Sequence, residues 1–374
     1  MKRWKMVISL LVLLLGAAGC AVSPATNEPT QAEKVVETAT TQPTAVPQPS
    51  PSQPEPTAAS TPVVLGNPVV IQPQNANQLV ETVRLPVPMS YRLKWSANSS
   101  RLGVMYRDGL AILDGTTLDT LANIQVQDPY FLMGFSPETN LMAVTSDLQS
   151  IELRDISTGQ VVRKIERNSQ AYFAEFSPDG NTLAVGTTDQ FAVEMWNVQT
   201  AVLTRTLTGF NTAAPVYSTI FSADGKFLIW FARASVQVMH IASGQMGPSL
   251  SHEDFVGGLA LAPDDRMLAA GSAALVGSDY APLVQLWDSN SGQQIGRLIT
   301  PRGLPVSVSF SPDGGLLAGS SSSEVIVWDV STQRELARIS GFGDAVNASI
   351  FSPDGKTLAV SSSDGTVRLY QVLE

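Results

Sequence analysis

Residues 351–370 read FSPDGKTLAVSSSDGTVRLY, and the rest of the chain is a set of variations on this stretch. Thr357-Leu-Ala-Val-Ser361 and Thr366-Val-Arg-Leu-Tyr370 alternate apolar with polar around Asp364-Gly365, and Ser352-Pro353-Asp354-Gly355 precedes the first run. A period of two broken by turn formers predicts strand, turn, strand. Within the SPDG turn, Pro353 presets φ for the second position of a type I turn. Asp354 closes an Asx-type bond, and Gly355 takes the positive φ required next. Such a unit has a dry face only if something stacks on it.

The same stretch recurs. An aromatic residue or Leu, then Ser or Ala, then a turn, begins at Trp95, Phe135, Phe176, Phe221, Leu261, Phe310 and Phe351, at spacings of 40, 41, 45, 40, 49 and 41 residues. A period in the forties with several short strands per repeat is the signature of propeller blades. A second column follows each anchor, in the segments beginning at Leu110, Ile151, Val193, Val236, Val284, Val325 and Val367. It contains Trp287-Asp288 and Trp328-Asp329, and Ser291-Gly292, Thr158-Gly159 and Ser243-Gly244 come after it.

These residues resemble the WD-repeat β-propeller family, in its name-giving dipeptide and in the turn behind it, over residues 78–374. The fold expected is all-β, a seven-bladed β-propeller of four-stranded antiparallel blades. Another short strand follows each second column except the seventh, where the chain stops at Glu374. Residues 78–85, QLVETVRL, precede the first anchor without a blade of their own. They are expected to complete the last blade, closing the ring and removing two exposed sheet edges.

Ahead of the repeats the chain changes character. Lys2, Arg3 and Lys5 precede an apolar run to Leu15 and then Gly16-Ala17-Ala18-Gly19-Cys20, a secretory signal too short for an ordinary spanning helix. Small residues directly before a cysteine resemble the lipobox of bacterial lipoproteins, with Ala17 where leucine is commoner. The resemblance implies a lipid on Cys20 and a place on the outer face of a bacterial membrane. Cys20 is the only cysteine, so an exported chain has no disulfide framework. Residues 20–62 hold nine prolines among Thr, Gln, Ser and Ala, which cannot bury enough surface to fold and form a spacer. The propeller is placed at 63–374, after a signal at 1–19.

The chain of 374 residues is 44% apolar with a net charge of −10, and this balance argues against a phosphate-backbone partner, which calls for a basic stripe. Nor is a catalytic constellation legible: there are two histidines, His240 and His252, and no HExxH, GxSxG or paired CxxC. Gly355-Lys356-Thr357 is a turn and a strand, since Ile350 stands where a phosphate loop needs its first glycine. The aspartates of the SPDG turns are explained by turn formation and spread over separate blades, so no metal, cofactor or enzymatic activity is expected.

In the WD-repeat resemblance a histidine at the position of His252 bonds a turn Asp, a Ser or Thr and the Trp within its blade. That implies a structural network of His252, Ser272, Asp279 and Trp287. Phe210 and Phe342 stand where that histidine falls in two other repeats, either filling its pocket or offering a surface aromatic. The fifth unit carries the longest irregular insertion, residues 273–282, with Leu275, Val276 and Tyr280. With the connections 208–215 and 301–305 it is expected to form one end of the ring. This loop-bearing end is read as binding a protein or peptide through Leu275, Val276, Tyr280, Phe210 and Phe342. The alternative is a sensory propeller taking a small ligand or a glycan in its central channel.

Overall fold

The computed structural model describes residues 66–374 apart from 107–108, 126–132, 137, 148–149, 169–170, 188–191, 209–217, 233, 253–254, 277–278 and 301–306. Cys20 and the spacer lie outside the described residues. Among those described, no helix is long and apolar enough to cross a membrane.

The chain is a seven-bladed β-propeller. Blade 1 consists of Ser90–Trp95, Arg101–Tyr106, Gly109–Asp114 and Thr120–Gln125, paired antiparallel in that order. Blades 2 to 6 repeat this meander, beginning at Met133–Phe135, Ala171–Phe176, Ser218–Phe221, Gly258–Leu261 and Val308–Phe310. Blade 7 supplies Val346–Phe351, Leu358–Ser362 and Thr366–Leu373. Each first strand touches the first strand of the next blade, and that of blade 7 touches that of blade 1, so the seven surround a common axis.

The local chemistry of blades 3, 4, 6 and 7 is the SPDG or SADG turn. In blade 7 the Ser352 hydroxyl donates to the Asp354 carboxylate at 2.6 Å and accepts the Thr357 N–H at 3.0 Å. Asp354 also accepts the Lys356 N–H at 3.1 Å, and Gly355 sits at φ 71°. Ser177, Ser222 and Ser311 make the same pair of bonds to their own aspartates and to the strand that follows. These serines are buried yet fully bonded, so the polar turn can press against the neighbouring blade without an unsatisfied hydroxyl. The turn between third and fourth strands is held by the aspartate at the end of the third. Asp288 accepts the Ser291 N–H and hydroxyl, both at 2.7 Å, and these bonds keep its carboxyl below the usual carboxylate range.

Closure follows the expected route and adds a piece. Val80–Pro86 pairs antiparallel with Thr366–Leu373, Leu85 opposite Val367 and Val80 opposite Gln371. Upstream, Pro68–Val69 continues along the same edge opposite Val372 and Leu373. The fourth strand of blade 7 therefore comes from the N-terminal side in two segments, joined through the 3₁₀ turn Ala76–Gln78. Ile71 and Ala76 are buried with Phe351, Leu358 and Val372 in the core shared by blades 6 and 7. On the other face Val83 packs with Leu93, Leu102 and Leu369 between blades 7 and 1.

Candidate functional site

Each blade runs up, down, up and down, so the connections between second and third strands share one end of the ring with those between blades. The SPDG turns occupy the opposite end. Blade 5 departs furthest from the repeat at the shared end. Its second and third strands, Met267–Val276 and Asp279–Asp288, are 10 residues each, against 6 for the corresponding pair in blade 4. The expected irregular insertion is corrected here: residues 273–276 and 279–282 are a regular extension of the hairpin. Ala273 stands opposite Pro282, Leu275 opposite Tyr280 and Val276 opposite Asp279. The backbone pairing satisfies most of the segment's amides while carrying it beyond its neighbours. The side chains at 273–280, those of Leu275, Val276, Asp279 and Tyr280 included, lie outside the described ones, as do Phe210 and both inter-blade connections named above.

His252 and Trp287 meet, with ring centroids 5.3 Å apart, and both are buried. The remainder of the network is arranged differently from the expectation. Nδ1 of His252 pairs with the Leu250 carbonyl at 3.0 Å, whereas Nε2 and the Trp287 indole N–H have no hydrogen-bond partner among the described residues. Ser272 does not reach the histidine. Its hydroxyl donates instead to Oε1 of Gln285 at 2.6 Å, on the adjacent strand. Burial, partly opposed by the Leu250 and Ala234 backbone, lowers the His252 pKa to about 4, so the imidazole is neutral at pH 7. It is a packing residue with no catalytic partner among the described residues. His240, at the end of a third strand, pairs with the Ser243 hydroxyl at 3.0 Å and so does the turn-holding work of an aspartate.

Phe342 is not a surface aromatic, which removes it from the partner-binding set. It is 7% exposed in the core between blades 6 and 7, with the Arg368 guanidinium 4.3 Å above its ring centroid. Arg368 is fixed there by Asp364 at 2.6 Å, by Thr366 at 3.0 Å and by the Gly341 carbonyl at 3.2 Å. A buried guanidinium with several bonds and an aromatic face beneath it repays its desolvation. Sequence reading missed Arg368, because 26 residues separate it from Phe342 and it stands at an ordinary alternating strand position. Glu81 joins the same group, accepting the Tyr370 hydroxyl at 3.3 Å and lying 3.6 Å from Arg368. The closing strand is thereby tied by charge as well as by its ladder.

Inside the ring, a cavity of about 390 Å³ opens toward the SPDG end, bordered by Lys94, Glu175, Ile220, Leu259, Ser309 and Ile350. Lys94 of blade 1 and Glu175 of blade 3 are paired at 2.7 Å across blade 2. Blade 2 offers Gly134 at the equivalent position, where an added Cβ would stand 2.8 Å from the Ala174 carbonyl oxygen. No group of three or more histidine, cysteine or acidic side chains suited to a metal ion occurs among the described residues.

Residues 293–329 and 333–371 match the family model "WD domain, G-beta repeat". The chain is 32% identical over 148 residues to "WD repeat-containing protein SL1-17" of Schistosoma mansoni, a match covering 39% of this chain and 46% of that one. It is 31% identical over 100 residues to "WD repeat-containing protein 90" of Mus musculus, covering 27% of this chain and 5% of that protein. The matches therefore span less than half the length of these relatives. Together with the seven blades they support a WD-repeat propeller, an architecture that generally serves as a protein-interaction scaffold.

Proposed function

We propose that this chain is a WD-repeat scaffold held on the extracytoplasmic face of a bacterial membrane by a lipid on Cys20, and that it captures a protein or peptide through the loop-bearing end of the ring. The observation that carries the interaction half is the Met267–Asp288 hairpin, the largest departure from an otherwise regular repeat. Binding residues concentrate on loops displayed by a rigid frame, and a propeller is such a frame. Leu275, Val276 and Tyr280 are apolar or aromatic residues at its tip, the residue types that anchor interfaces. The Leu275→Ala, Tyr280→Ala double variant tests this half by cross-linking intact cells. Partners recovered with the wild type should be lost at unchanged surface level, and equal recovery from both overturns the reading. The tether rests on the resemblance around Cys20. Wild type should take up labelled fatty acid and Cys20→Ala should leave the membrane fraction, whereas no label together with a membrane-bound variant overturns it.

A further inference from the structure

The seven first strands surrounding the axis carry three charged residues among those described, and two of the three are cationic: Arg92, Lys94 and Glu175. This is a local excess of positive charge in a chain whose net charge is −10. Lys94 and Glu175 neutralise one another at 2.7 Å. Arg92 is left over. It pairs with Met105 in the same unbroken register that sets Lys94 opposite Gly103, so the two cations share one face of the strand. Leu93 and Trp95, on the other face, are buried in the core between blades. Among the described residues the Arg92 guanidinium makes no hydrogen bond or ion pair. Glu175 acts on it only through space, while the crowding of the inner strands lowers its pKa from the usual guanidinium value.

Arg92 is nonetheless exposed to solvent. Wetted but walled by protein, it offers five N–H donors in a fixed fork with nothing among the described residues to receive them. It also lies closer than Lys94 to the start of its strand, on the side of the loop-bearing end, beside the exposed Tyr91. Because the excess among the described inner-strand residues is a single positive charge, a monocarboxylate neutralises it, while a phosphate dianion leaves a surplus negative charge next to Glu175.

We infer that the channel mouth at the loop-bearing end is a carboxylate-binding site in which Arg92 takes the two oxygens of the ligand and the Lys94–Glu175 pair forms its floor. The carboxylate belongs either to a free small organic acid or to an acidic side chain of a peptide. This goes beyond the role assigned to the hairpin and does not depend on it.

Calorimetric titration of the full chain at low ionic strength, with butyrate, with the blocked peptide acetyl-Gly-Glu-Gly-amide and with inorganic phosphate, tests the site. Both or either carboxylate should bind, phosphate more weakly, and Arg92→Gln should weaken carboxylate binding about tenfold or more, as expected for a lost bidentate charged pair. Glu175→Gln removes the competing carboxylate and should tighten binding, which separates a ligand site from a merely structural arginine. Butyrate ahead of the peptide identifies a free acid as the ligand, and the reverse order identifies an acidic peptide. The Leu275→Ala, Tyr280→Ala variant should bind the better carboxylate as the wild type does, so failure of the hairpin reading leaves this result standing. No carboxylate binding, binding indifferent to Arg92→Gln, or phosphate bound as tightly as the better carboxylate overturns the assignment.

Discussion

His252 shows what burial does to a single residue. Its pKa in the folded chain is about 4, below the ordinary value of 6.5, so the native state keeps it neutral while the unfolded chain takes up a proton as the pH falls. Stability from this group is complete above pH 6.5, declines as the pH drops toward 4 and is flat below that, for a total loss of up to about 3 kcal/mol. Urea unfolding of wild type and His252→Phe between pH 7 and 4 should show the wild type losing more. Parallel losses would assign the pH dependence elsewhere. Ser352→Ala removes a buried hydroxyl with a donor and an acceptor bond and strands the Thr357 N–H, at a cost of about 1–2 kcal/mol in the same assay. A glycine deficit is equally readable. Ala201 holds φ 54° in a turn where Gly159, Gly244 and Gly292 hold 69–70°, so Ala201→Gly should raise stability by about 0.5–1 kcal/mol despite the flexibility it adds to the unfolded chain. A lower melting temperature for that variant would show that the alanine side chain contributes packing that outweighs its strain.

At the scale of elements, the anchor columns make the blades legible in the sequence, because SPDG and the Asp-Xaa-Xaa-Xaa-Gly turn each state their own hydrogen bonds. Three elements escaped that reading for physical reasons. Residues 273–282 contain Ala-Ala, Gly-Ser and a proline with no period of two, yet 273–276 pair with 279–282 because they continue a stem already in register. Ile71 ends the short apolar run Val69-Val70-Ile71 and Ala76 stands alone between two asparagines, and only the groove between blades 6 and 7 explains their burial. Ser272 was matched to a histidine, but Gln285 lies on the adjacent strand and takes its hydroxyl at 2.6 Å. Gln285 is 3% exposed at a position that alternation left polar, so the blade 5 core contains an amide that no apolar pattern announces.

The whole molecule depends on its ends meeting. Thr366–Leu373 is bordered on one side by its own hairpin and on the other by Val80–Pro86 and Pro68–Val69, so removing the latter exposes a sheet edge and opens the cores on both faces of blade 7. Deleting residues 78–85 should abolish the cooperative melt or cause aggregation, and an unchanged melting temperature would contradict closure by this strand. A ring locked in this way keeps its two ends distinct, with tight serine-aspartate turns on one and the extended hairpin and channel-mouth arginine on the other. On the proposed function, partner capture then belongs to one end only. The direct test places a photo-cross-linking amino acid at position 280 in the hairpin or at position 226 in an SPDG-end turn, and irradiates intact cells. The account predicts discrete adducts from 280 and none from 226. Adducts from 226 alone, or from neither position, would contradict it.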